Sequence, residues 1–152
     1  YPDYTTSEYE RRNDKQSNLN FIGLKAKDFK YPTFHNDSIN LESFIGKYVL
    51  LDFWETWCGH CILALPEIQK LQDKYKADLV VIGISTENKP QIEKVLQKNK
   101  ITYINIFADQ QILQDYKVLA RPTYFLLDRN GKIKTHSEGN LDKIKTVLDD
   151  SF

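Results

Sequence analysis

Two residues of the chain are typical of redox chemistry: its only cysteines, which stand as Cys58-Gly59-His60-Cys61 directly after a largely apolar run at 48–54. The thiolate is the attacking species in disulfide exchange, whereas an ordinary thiol has a pKa of about 8.5. A strand followed by a helix would place Cys58 at the helix N-terminus, where unpaired N–H groups and the dipole stabilise an anion. Cys61 could then attack a mixed disulfide on Cys58 and release the substrate. The spacing predicts a reversible redox couple that needs no metal or organic cofactor.

Two ionisable residues near the cysteines are expected to tune them. A protonated His60 favours the Cys58 thiolate and makes the pair more oxidising; the alternative is a solvated surface histidine. Asp52 lies six residues before Cys58, in a strand that we expect to be buried, where an unpaired carboxylate is costly. We expect Asp52 to accept the Cys61 proton, through water, during resolution. The alternative is a structural acid that is hydrogen-bonded to the backbone.

Zinc binding is the main competing use of a cysteine pair, but a structural zinc site needs four ligands. Only His35, His60 and His136 remain as nitrogen ligands, and there is no second Cys-x-x-Cys, so we expect no metal site. A formal net charge of +0 and a pI of about 7.0 argue against nucleic acid or an anionic membrane as the main partner. No apolar run approaches the roughly 20 residues of a membrane helix.

The elements that must position the cysteines follow from hydrophobic periodicity. Residues 48–54 and 79–85 are nearly continuous apolar runs, typical of central strands that are covered on both faces. A helical period follows the cysteines and contains Pro66, which should kink the helix. Alternating strands and helices before a terminal hairpin predict an α/β protein with a mixed sheet. The other predicted elements are two short strands joined by a turn at 35–38, a helical turn at 41–45, a helix opened by Pro90, a strand at 103–107, a short helix capped by Asp109, strands at 123–127 and 132–137, and a last helix capped by Asn140.

The chain divides into a polar stretch and one predicted domain. Residues 1–20 have no apolar period, and we expect a flexible N-terminal tether or a remnant of an upstream segment. Residues 21–152 are expected to form the domain, without repeats. Because the chain contains no methionine, even at position 1, we expect it to be processed or cut from a longer precursor.

Three stretches follow the pattern of a known family. Residues 51–61 read Leu-Asp-Phe-Trp-Glu-Thr-Trp-Cys-Gly-His-Cys and resemble the signature of the thioredoxin superfamily. Residues 41–51 are similar to the L-x-x-x-x-G-K-x-V-L-L of its TlpA/ResA-like branch, and residues 116–133 to that branch's Y-x-V-x-x-x-P-T-x-F-L-I-D-x-x-G-x-I. The chain thus resembles bacterial extracytoplasmic thiol-disulfide oxidoreductases. The resemblance implies a thioredoxin-like fold, with a central mixed sheet flanked by helices, an N-terminal β-hairpin, and an inserted helix and strand at about 88–107.

The resemblance also implies roles for residues beyond the cysteines. Pro122 would follow a cis peptide bond and face the cysteines, leaving a backbone edge on which an extended substrate segment can pair. Trp57 would be a substrate-facing platform; its alternative is core packing. The expected partners are protein thiols and disulfides and a membrane thiol donor of electrons, and we expect a monomer. The expected location is extracytoplasmic, periplasmic or membrane-anchored, with a cytoplasmic protein as the alternative.

Several residues depart from the branch pattern and leave the direction of electron flow open. With Gly59 and His60 the motif resembles that of disulfide isomerases, since the reducing members usually carry proline in place of His60. Arg121 stands where an uncharged residue is expected and would favour the Cys58 thiolate. Glu55 replaces a small residue and would act in the opposite sense, or it would pair with Arg121. A reductase is favoured over an isomerase or oxidase. A thiol peroxidase is a further alternative, although its Thr-x-x-Cys would need a threonine at position 55.

Overall fold

The apolar strand that leads to the cysteines, β3 (Tyr48–Phe53), is the middle strand of a five-stranded sheet with the order β5-β4-β3-β6-β7. The computed structural model describes residues 21–152; the tether predicted for residues 1–20 lies outside this range. The other strands are β1 (Lys30–Pro32), β2 (Ser38–Asn40), β4 (Leu79–Ser85), β5 (Ile104–Phe107), β6 (Thr123–Leu127) and β7 (Ile133–Glu138). The helices are α1 (Gly59–Lys74), α2 (Lys89–Lys98), α3 (Gln111–Asp115) and α4 (Leu141–Ser151), and a 3-10 turn covers Leu41–Phe44.

Strand β3 is paired on both sides and covered on both faces. It runs parallel to β4 and antiparallel to β6, which makes the sheet mixed. Successive side chains of a strand point to opposite faces, so Val49, Leu51 and Phe53 face one core and Leu50 and Trp54 face the other. The second core contains both cysteines and the buried sides of α1, α2 and α4. The predicted central strand is therefore confirmed, and Asp52 lies on the face that carries the cysteines.

Most other predicted elements are confirmed. The N-terminal hairpin pairs β1 with β2, and the insertion is α2 followed by β5 at the sheet edge. Helix α1 continues through Pro66. Asn140 caps α4 through a hydrogen bond that its side chain accepts from the Lys143 N–H.

The predicted cap of α3 is wrong by one residue. Gln110 is the N-cap and makes no side-chain cap hydrogen bond. Asp109 lies one residue earlier, where its carboxylate accepts hydrogen bonds from the Gln111 N–H at 3.1 Å and the Tyr31 hydroxyl at 2.8 Å. The aspartate thus supports the start of this helix from outside it, and it also ties the helix to the hairpin.

Gly83 of β4 makes room for a buried hydrogen bond beside the site. It pairs with Asp52 on one side and with Asn105 on the other. The Asn105 carboxamide lies over Gly83 and accepts a hydrogen bond from the Trp54 indole N–H at 3.0 Å. A Cβ at position 83 would come 2.0 Å from the Asn105 Oδ1, so only glycine fits beneath this contact.

Replacing Gly83 with alanine should therefore destabilise the fold. We expect Gly83→Ala to lower the free energy of unfolding by about 1–3 kcal/mol, because the Asn105 side chain must move and the Trp54 indole loses its acceptor. Urea denaturation followed by tryptophan fluorescence measures the change. Gly59→Ala is the matched control, since a Cβ there meets no atom within 4 Å. Equal stability of the two variants would contradict the packing described.

Candidate active site

Cys58 is the N-cap residue of α1, as the sequence predicts. Its backbone is extended (φ −96°, ψ 103°), and its Sγ accepts a hydrogen bond from the Cys61 N–H at 3.1 Å. The two residues form a disulfide, with their Cα atoms 5.2 Å apart. Cys58 is 6% exposed and Cys61 only 1%. Because solvent reaches Cys58 first and a backbone donor already points at its sulfur, Cys58 is the better placed of the two to react as a thiolate.

The loop that delivers Cys58 is held to the loop after β4 by side-chain hydrogen bonds. Backbone pairing of the two strands ends at Phe53 and Ile84. The three residues after each strand, 54–56 and 85–87, still face each other in the same register. The Ser85 hydroxyl donates to the Trp54 carbonyl at 2.9 Å, and the Thr86 N–H donates to the Glu55 carboxylate at 2.7 Å.

In the third contact the donors belong to the cysteine loop and the acceptor belongs to the loop after β4. Here the Thr56 N–H and hydroxyl donate to the Glu87 carboxylate, the hydroxyl at 2.9 Å. The Glu55 carbonyl then accepts the Cys58 N–H at 3.2 Å. The cysteine therefore follows a loop whose path is fixed at three successive positions.

Asp52 is buried without a hydrogen-bond partner. Its side chain faces the core that holds the cysteines, the residue is 1% exposed, and both carboxylate oxygens lack a partner among residues 21–152. Burial away from water disfavours the charged form and raises the pKa of Asp52 to about 8. The expected alternative of a structural acid bonded to the backbone is therefore wrong. A buried group that exchanges a proton near neutral pH is suited to proton transfer.

Two tyrosines share the surroundings of Asp52. The charge of its carboxylate raises the pKa values of Tyr103 and Tyr124, after burial, which is the larger cause in both. The Tyr103 hydroxyl is itself buried without a partner in the described part of the chain. Asp52 thus lies near two tyrosines, and burial is what raises its pKa.

Glu55 is also buried, with 2% of its surface exposed. Burial is the main reason why its pKa is raised to about 7; the Glu87 carboxyl adds to the rise, while the Thr86 N–H and the Arg121 charge oppose it. Within residues 21–152 no ion pair joins Glu55 to Arg121, so the expected pairing is wrong. The carboxylate has instead taken the backbone donor of Thr86.

The residues around the cysteines are open to solvent. Trp57 is 68% exposed, so its alternative reading as a core residue is wrong, and Leu63 in the second turn of α1 is exposed as well. His60 and Gly59 are exposed at the start of α1. The exposed indole of Trp57, directly before Cys58 in the chain, offers an apolar platform.

The Arg121-Pro122 peptide bond is cis, as the resemblance implies. Because β6 is antiparallel to β3, Thr123 lies beside Phe53, and Pro122 falls at the edge from which the cysteine loop departs. The Pro122 carbonyl accepts the Gly139 N–H at 2.9 Å. Within residues 21–152, the amide and carbonyl of Arg121 make no backbone–backbone hydrogen bond.

The histidines that the sequence offers as possible zinc ligands lie apart from one another in the fold. His35 is exposed in the β1–β2 turn, whereas His136 is buried against Phe125 on the sheet face away from the cysteines, with ring centroids 4.6 Å apart. Across 21–152, no group of three or more His, Cys, Asp or Glu side chains could hold a metal ion.

Comparison with known proteins identifies the family. A family model described as the AhpC/TSA family matches residues 22–136, so the chain belongs to that family. The thioredoxin-like protein YneN of Bacillus subtilis is 34% identical over 125 residues, covering 80% of this chain and 74% of that protein. The thiol-disulfide oxidoreductase ResA of Geobacillus kaustophilus is 32% identical over 126 residues, covering 80% and 72%.

Solved structures agree with these relatives. The thioredoxin domain of a thiol-disulfide oxidoreductase from Bacteroides vulgatus has a TM-score of 0.78 and 25% identity, covering 84% of this chain and 96% of that one. The predicted thioredoxin-like fold and the resemblance to ResA-like proteins are confirmed. The protein is a thiol-disulfide oxidoreductase with its cysteine pair at Cys58 and Cys61.

The buried acid should make stability depend on pH. Folding raises the pKa of Asp52 from 3.8 to about 8, so the unfolded chain loses this proton at a lower pH than the folded protein does. The free energy of unfolding therefore falls as pH rises from about 4 to about 8. We expect Asp52→Asn to be more stable than wild type by about 2–4 kcal/mol at about pH 8, and by much less at about pH 5. Urea denaturation of the oxidised protein at both pH values tests this. Asp73→Asn, which changes an exposed acid of α1, should follow wild type. A pH-independent gain in Asp52→Asn would contradict the assignment.

Proposed function

We propose that the protein is a reductase of protein disulfides that acts outside the cytoplasm. The observation that carries the proposal is the set of buried acids around the cysteines: Asp52 has no partner, and Glu55 lies next to Glu87. Whenever one of these acids is ionised, its negative charge disfavours a thiolate, and a reduced form that is less stable is a better electron donor. His60 and Arg121 act in the opposite sense, from more exposed positions.

Cys58 is the proposed nucleophile. Its thiolate attacks one sulfur of a substrate disulfide; the substrate S–S bond breaks, the released substrate thiolate takes a proton, and a mixed disulfide joins Cys58 to the substrate. The helix N-terminus and the Cys61 N–H stabilise this thiolate, as does an imidazolium at His60. Gly59 lies in open space at the start of α1, where a Cβ would meet no atom within 4 Å.

Cys61 is the proposed resolving residue. Its thiol gives its proton to the Asp52 carboxylate, and the resulting thiolate attacks the Cys58 sulfur. The Cys58–Cys61 disulfide forms while the second substrate thiolate leaves and is protonated. The protein dithiol has then lost two electrons, and the substrate disulfide has gained them. A dithiol of a membrane donor, as the family resemblance implies, would restore the reduced protein; no metal or organic cofactor takes part.

The substrate segment is proposed to bind between Trp57 and the cis-proline. The free amide and carbonyl of Arg121 can pair with an extended backbone, and the apolar platform can cover the side chains beside the substrate disulfide. A hydrogen-bonded backbone gives affinity with little sequence preference, which suits a reductase of several proteins. We propose that the domain works as a monomer.

The location outside the cytoplasm is proposed from the ResA-like resemblance. Residues 21–152 contain no helix that is long and apolar enough to cross a membrane.

Equilibration with glutathione buffers tests the direction of electron flow. We expect a reduction potential near the value of thioredoxin, about −270 mV, and not near the value of protein disulfide isomerase, about −180 mV. His60→Ala should lower the potential further, because the thiolate loses a cationic neighbour, whereas His35→Ala, an exposed histidine remote from the site, should not. A potential near the isomerase value would refute the reductase proposal and support the isomerase or oxidase alternative. Turnover of hydrogen peroxide by the reduced protein would instead support the peroxidase alternative.

A further inference from the structure

Trp57, the residue before Cys58, is 68% exposed, so side-chain packing does little to fix its position. Its indole therefore points where the backbone on either side directs it. After Trp57, the Cys58 N–H donates to the Glu55 carbonyl at 3.2 Å, and Cys58 begins α1 as its N-cap. Before Trp57 lies Thr56, and the position of the indole depends on how Thr56 is held.

Thr56 is held by a side chain from another part of the chain. Its backbone N–H and its hydroxyl donate to the two oxygens of the Glu87 carboxylate, the hydroxyl at 2.9 Å. A carboxylate that receives both donors of one residue fixes its backbone and its side chain together, and hydrogen bonds to a charged acceptor are stronger than neutral ones. Thr56 is thus fixed by a residue that lies 31 positions further along the chain.

Glu87 is itself firmly placed, because it is the middle residue of the three-residue loop between β4 and α2. Before it, the Thr86 N–H donates to the Glu55 carboxylate at 2.7 Å. After it, at the start of α2, the Lys89 ammonium lies 5.7 Å from the centre of the Phe34 ring in the β1–β2 turn. The loop is tied at both ends, so it can act as a fixed support for Thr56.

We propose that Glu87 is a positioning residue that, through its two hydrogen bonds to Thr56, holds Trp57 where a protein substrate binds. The inference rests on the proposed function, in which the substrate segment lies between Trp57 and the cis-proline. It assigns a role to a residue outside the cysteine motif. The role requires the hydrogen bonds of the Glu87 side chain and not its charge.

The role predicts different effects on large and small substrates. A protein disulfide reaches Cys58 with a chain segment that must lie beside Trp57, whereas glutathione disulfide is small and needs little more than access to the Cys58 sulfur. The two cysteines are held by α1, whose N-cap is Cys58 and whose first turn contains Cys61. Loss of the Glu87 side chain should therefore slow the reaction with proteins and leave the reaction with glutathione disulfide nearly unchanged.

Reduction of insulin, measured as kcat/KM with dithiothreitol as the electron source, tests the inference. We expect Glu87→Ala to lower kcat/KM for insulin about fivefold to twentyfold and to change the rate with glutathione disulfide less than about twofold. Glu87→Gln should retain most of the activity, because its carboxamide can accept the Thr56 N–H and donate to the Thr56 hydroxyl. Glu93→Ala, which removes a carboxylate from α2, is the matched control and should behave as wild type.

A double variant separates positioning from a general weakening of the loop. In a Trp57→Ala protein, which lacks the indole, adding Glu87→Ala should lower kcat/KM for insulin less than about twofold further, because the side chain that Glu87 positions is gone. A loop that is only weakened would slow insulin and glutathione disulfide alike and would add its full effect to Trp57→Ala. Either result would overturn the inference, as would a Glu87→Gln variant that is as slow as Glu87→Ala.

The outcomes for the two proposals can be told apart. A wild-type protein that does not reduce insulin would overturn the proposed function, and the inference with it. A wild type that reduces insulin, together with a Glu87→Ala variant that reduces it at the same rate, would overturn the role of Glu87 alone.

Discussion

The parallel register of β3 and β4 is the constraint on which the site depends. It continues past the last backbone pair, Phe53 with Ile84, through three further side-chain contacts between the same two segments. Cys58 follows two residues later, and it can cap α1 only if the loop arrives along this path. The same strands place Asp52 beneath α1, and they place Gly83 beside Asp52. A shift of one residue would turn Asp52 to the other face of the sheet.

Burial has a large effect on the protonation of the groups at this site. Both cysteines, Asp52 and Glu55 lie where water has little access, so each charge there is costly and each proton is held more tightly. In the function proposed above, the acids act against the Cys58 thiolate, and the helix N-terminus, His60 and Arg121 act for it. The reduction potential is the difference between these opposing contributions.

Most of the fold could be predicted from the sequence, because the central strands β3 and β4 are nearly continuous apolar runs and α1 repeats its apolar residues at helical spacing. The redox pair could be found because Cys58 and Cys61 are the only two cysteines and lie three residues apart in sequence. The partners of Glu55 could not, because the contact with Thr86 depends on strand register across 31 residues, and the favoured partner, Arg121, offered the more obvious charge. The Trp54–Asn105 bond has the same origin: only the pairing of three strands brings these side chains together over Gly83.

Trapping of mixed disulfides tests the central claim, that Cys58 attacks and Cys61 resolves, most directly. Reduced Cys61→Ser and Cys58→Ser proteins would each be incubated with a disulfide-bonded protein such as insulin, and the adducts separated on non-reducing gels. The account predicts a stable adduct with Cys61→Ser that mass spectrometry places on Cys58, and little or none with Cys58→Ser, whose remaining thiol is buried. Equal adducts on both variants, or adducts on Cys61 alone, would contradict it.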